Sequence, residues 1–110
     1  MSKIYELPDN FIGKEDRDKL ESFAGHTVAH GRAVRWHWAK TDDGDDVFEI
    51  HRHNELDRPD VRITRDRQQD AFFARDEGDA LIASGTLEHM LAALERHFAR
   101  LHGEPPDSPA

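Results

Sequence analysis

The chain has 110 residues, with 23 acidic against 15 basic side chains, a net charge of −8 and no cysteine. That length fits one domain. The missing thiols exclude disulfides, thiolate metal sites and a Cys nucleophile, and the acidity argues against direct nucleic-acid binding, which needs a basic footprint.

No apolar leader occupies the first thirty residues, and no apolar run reaches membrane-spanning length. The default expectation is therefore a soluble, cytoplasmic protein with no membrane contact. The charge is uneven: residues 26–40 carry three positive and no negative side chains, whereas 41–60 carry eight negative and two positive ones. Such acidity fits a basic partner. It also fits salt adaptation or genome base composition, given 14 Asp and 11 Arg against 4 Lys.

In chain order, IYELPDNFI (4–12) reads as an edge strand or an extended arm. Residues 14–24 (KEDRDKLESFA) read as a short N-terminal helix. Glu15 and Asp16 favour its start, and Gly25 is the expected stop. Its apolar face is only Leu20, Phe23 and Ala24, so it needs tertiary support. Residues 26–32 are ambiguous, with Gly31 a turn or a bulge. His26 and His30 share a side only on a helix, which Thr27 and Val28 disfavour.

The period then changes to two. Val34, Trp36 and Trp38 alternate with Arg35, His37 and Ala39; Phe48 and Ile50 alternate with Val47, Glu49 and His51; Val61 and Ile63 alternate with Arg62 and Thr64. Residues 71–75 and 80–83 are two further short apolar runs, joined by the turn signal Asp76-Glu77-Gly78-Asp79. Last comes the clearest helix. Leu87, Met90, Leu91, Leu94, Phe98 and Leu101 form one stripe behind the N-cap Thr86. His89, His97 and His102 fall on or beyond its polar side. Gly103 and three prolines should end order at a 103–110 tail.

The expected fold class is α+β: one domain over 1–102, with an antiparallel sheet of four to five strands. The C-terminal amphipathic helix covers one sheet face.

One register follows from the turn chemistry. Asp42-Asp43-Gly44 fits a three-residue hairpin loop with glycine in the left-handed region. Thr41 then faces Asp45, and Trp38–Phe48 and Trp36–Ile50 become cross-strand pairs. The same register opposes His37 with Glu49 and Arg35 with His51 on the polar face. Placing Ile50 beside Ile63 would set His51 next to Arg62 and Glu49 next to Thr64. That second step crosses a long connection, 54–60.

Function is read from that polar face. No catalytic motif is present, and the only acid/base pair is His37–Glu49, so the expectation is a non-catalytic small acidic binding or regulatory protein acting through a protein interface. Its composition is that of inhibitors, antitoxins and immunity proteins. Arg35, His37, Glu49, His51 and Arg62 are the candidate surface for an anion or an acidic partner segment. Asp42, Asp43, Asp45 and Asp46 form an acidic loop suited to a basic partner. They lack the calcium-loop layout. No cofactor is required. The alternative is a metal site at His37, Glu49, His51 and His53, against which stands the tendency of a flat sheet to splay its side chains. An edge strand would also allow a homodimer.

Overall fold

A computed structural model describes residues 11–53, 59–101 and 103. Helix α1 (Lys14–Ala29) is followed by five strands: β1 (Arg35–Lys40), β2 (Asp46–His51), β3 (Val61–Asp66), β4 (Ala71–Asp76) and β5 (Leu81–Gly85). Helix α2 (Leu87–Leu101) closes the order. The strands form one antiparallel meander in the order β1-β2-β3-β4-β5. Phe48, Ile50, Val61, Ile63 and Ala74 share one face, where they meet Leu20 and Ala24 of α1 and Met90, Leu94 and Phe98 of α2. The expected α+β architecture is thus present, with both helices on one side of the sheet. No helix among the described residues is long and apolar enough to cross a membrane.

Helix α1 runs past its expected stop. Gly25 lies inside it, and the left-handed glycine is Gly31, with φ +76. Packing overrides the weak local preference: Ala24 and Thr27 are buried, and the Thr27 hydroxyl donates to the Phe23 carbonyl at 2.9 Å. The ambiguous 26–32 stretch is therefore the end of a helix and a turn. His26 and His30 stack there with ring centroids 6.1 Å apart.

The helix is pinned to β1 through Trp38. Its indole N–H donates to Glu21 at 2.7 Å, and the Arg17 guanidinium lies 3.9 Å above the ring. Ile12, just ahead of α1, is fully buried. The rest of the predicted arm, 4–10, lies outside the described residues, as do His102 and the 104–110 tail.

Helix α2 matches its stripe except at one end, where Leu101 is 45% exposed. Thr86 caps it: its hydroxyl oxygen accepts the His89 N–H at 3.1 Å. The β4–β5 turn also behaves as its chemistry requires. Asp76 accepts from the backbone of Gly78 and Ala80, both at 2.9 Å.

Candidate functional site

The β1–β2 hairpin has the register deduced from its loop. Arg35 faces His51, Trp36 faces Ile50, His37 faces Glu49 and Trp38 faces Phe48. Gly44 sits at φ +87, and its N–H donates to the Thr41 carbonyl at 2.9 Å. The two tryptophans lean on Phe48, with centroid separations of 5.4 and 4.7 Å.

The next register differs from expectation. Phe48 pairs with Ile63, Glu49 with Arg62 and Ile50 with Val61. The strand is displaced by two residues, which leaves every side chain on its expected face. Asp60 sets the offset: its N–H donates to the Ile50 carbonyl at 2.9 Å, and its carboxylate accepts the Arg52 N–H. Arg62 therefore neighbours Glu49, not His51.

Pairing then carries Arg62 to Arg75 on β4. The face turned away from the helices thus bears one row across four strands: His37, Glu49, Arg62, Arg75. His37 Nε2 donates to Glu49 Oε1 at 2.7 Å. Arg62 Nε lies 3.8 Å from Glu49 Oε2, and Arg75 Nε lies 4.0 Å from Asp79. Arg62, Thr64, Arg75 and Asp79 line a depression of about 250 Å³. A larger open depression of about 770 Å³ adjoins it over the β3–β4 hairpin, lined by Thr64, Asp66, Gln68, Gln69, Phe73 and Arg75 among others.

His51 stands in a second row, beside Arg35. Alternation places it on the outward face, as expected, yet only 2% of it is exposed. Its Nδ1 lies 3.4 Å from Arg35 Nη2, and its ring stacks on His37 with centroids 5.0 Å apart. Nε2 is buried with no hydrogen-bond partner among the described residues. Burial, and then the charges of Arg35 and His37, hold this imidazole below its ordinary range. One ligating atom each from His37, Glu49 and His51 fall within 4.8 Å of one another. His53 is exposed and is not part of this cluster.

The acidic loop divides. Asp42 and Asp43 are exposed at the hairpin tip and Asp45 is half-buried. Asp46 has left the loop: it begins β2, is 3% exposed, and accepts from Lys40 Nζ at 2.6 Å and from the Ile12 N–H at 3.0 Å. Its role in the fold is structural. Arg75, which sequence reasoning did not select, completes the outward row. The signal was its place at the end of the apolar AFFAR run, which could be read only once the β3–β4 pairing was known.

No family model matches this chain, and neither the curated proteins nor the solved structures yield a match.

Proposed function

We propose that this is a non-catalytic binding protein that docks an acidic segment of a partner protein on the outward sheet face, with Arg62 and Arg75 as the anchoring cations. The observation that carries this reading is their direct opposition in adjacent strands. Like charges placed this way are unfavourable. Among the described residues, the carboxylates facing them stand at 3.8 and 4.0 Å, beyond good hydrogen-bond distance. A partner carboxylate between the two guanidinium groups would relieve the repulsion and gain paired, fork-like hydrogen bonds. The adjoining depression, with Thr64, Gln68 and Gln69 for polar contacts and Phe73 for an apolar one, gives room for the flanking residues of such a segment.

Arg62, Arg65, Arg67 and Arg75 line the two depressions against Asp66 and Asp79, an excess of positive charge on a chain whose net charge is −8. That contrast favours oriented encounter over general stickiness. A Glu-rich peptide titrated into isotope-labelled protein tests the reading. Amide shifts should cluster at residues 62–64 and 73–75, vanish in Arg62→Glu/Arg75→Glu, and weaken at about 0.5 M salt, where the Debye length is about 4 Å. Shifts confined to other surfaces, or a double variant that binds as well as the parent, would overturn it.

A further inference from the structure

Beyond the arginine pair, the geometry points to a second site: we infer that His37, Glu49 and His51 hold a divalent transition ion of the zinc type. Two imidazoles and one carboxylate form a donor set suited to zinc, cobalt or nickel. Calcium and magnesium call for oxygen-only sets.

The spacing is close to what such an ion needs. Bonds of about 2.0–2.1 Å place tetrahedral ligand atoms about 3.3 Å apart. The three donors already lie within 4.8 Å of one another, so the rings need only small rotations. Between His37 Nε2 and Glu49 Oε1, 2.7 Å apart, a proton now occupies the line of contact. The ion replaces that proton and spreads the pair slightly.

Two features set this cluster apart from an ordinary surface contact. Burial is graded inward: the His37 side chain is 45% exposed, that of Glu49 16%, and His51 is almost fully enclosed. The enclosed member also has a ring nitrogen, Nε2, with no hydrogen-bond partner among the described residues. A buried polar atom without a partner is costly, and a ligand removes that cost. Glu49 Oε2 lies toward Arg62, at 3.8 Å, which leaves Oε1 for the ion. Three protein ligands leave one position open toward solvent.

Arg35 works against the ion. If the metal takes His51 Nδ1, it competes with the guanidinium for that lone pair. If it takes Nε2, the ring proton moves to Nδ1 and faces the guanidinium 3.4 Å away. In either arrangement, replacing Arg35 by a neutral residue with an acceptor oxygen should tighten binding.

The test is titration of the untagged protein with Co²⁺, followed by visible absorption, with Zn²⁺ as competitor. One equivalent per chain is expected, with the intense bands of a low-coordinate ion. Glu49→Gln, a near-isosteric change, and His37→Ala, at an exposed position, should each weaken binding by about 10- to 100-fold. Arg35→Gln should tighten it several-fold, which a merely structural role for these side chains does not explain. His26→Ala/His30→Ala, at the C-terminal end of α1, should change nothing. Binding no stronger than that of free histidine would overturn the inference. So would affinity kept in Glu49→Gln and His37→Ala but lost in the α1 double variant.

Discussion

The carboxylate of Asp46 accepts the backbone N–H of Ile12 at 3.0 Å, joining residues 34 positions apart at the buried start of β2. Lys40 and Arg17 supply the countercharge, at 2.6 and 3.8 Å. One side chain thus fastens the segment before α1, α1 itself and the β1–β2 hairpin together.

Asp46→Ala should therefore destabilise the protein by about 1–3 kcal/mol, chiefly because it leaves the buried Ile12 N–H unmatched, whereas the exposed Lys40 ammonium stays in water. Asp46→Asn keeps an acceptor for Ile12 and should cost less. Urea unfolding of both variants checks the order. Burial raises the pKa of Asp46, but the Lys40 hydrogen bond, the Ile12 N–H and the charges of Lys40 and Arg17 outweigh it, and the net shift is downward. Its contribution is then fully present above the unfolded value of 3.8 and is lost as pH falls through the lower folded value. The acid limb of the stability curve should flatten in Asp46→Asn.

A second pH dependence belongs to histidine. The pKa values of His51 and His97 both lie below the ordinary 6.5, chiefly through burial; Arg35 and His37 add to it for the first, Arg100 and Arg52 for the second. The folded state binds fewer protons there than the unfolded chain. Stability is thus complete above about pH 6.5 and declines as pH falls toward the folded values. Thermal unfolding should show a lower Tm at pH 5.5 than at 7.5, and His97→Gln should reduce that difference. An unchanged slope in this variant would assign the whole effect to other groups.

Trp38→Phe keeps the ring on Phe48 but removes the indole N–H from Glu21 and weakens the platform beneath Arg17. A hydrogen bond to a charged acceptor is worth about 1.5–3 kcal/mol, and the exposed cation–π contact about 0.5–1. Because both contacts lie between α1 and β1, amide exchange in α1 should accelerate more than in α2. Uniform acceleration would count against a local role.

Thr86→Ala should cost about 1 kcal/mol through loss of the α2 cap, whereas Thr86→Ser should be nearly neutral. Denaturant midpoints of the two variants provide the comparison.

Legibility from sequence followed the reach of local chemistry. Asp43-Gly44 fixed one register because a short loop admits few geometries, and Thr86 marked a helix start because its hydroxyl acts within three residues. The β2–β3 register was not readable: a slip of two residues preserves inside and outside, so the apolar pattern gives both offsets the same score. The longer α1 was missed because Gly25 is locally a stop, and only its packing neighbours, Ala24 and Thr27, overrule it. At the site, alternation placed His37, Glu49 and His51 on one face. It carried no information on the enclosure of His51 or on the tilt that brings the two rings together.

Because every strand pairs with its predecessor, the longest excursion between partners is the nine residues between His51 and Val61; the other three connections have five, four and four. Loop-closure entropy is correspondingly small at each step. Assembly of the sheet can proceed hairpin by hairpin, so the barrier should be set by docking the two helices, whose contacts join distant parts of the chain, as between Lys19 and Glu88. Refolding should be fast for a sheet protein, and substitutions at Ile12 or Leu20 should alter its rate more than substitutions in the turns.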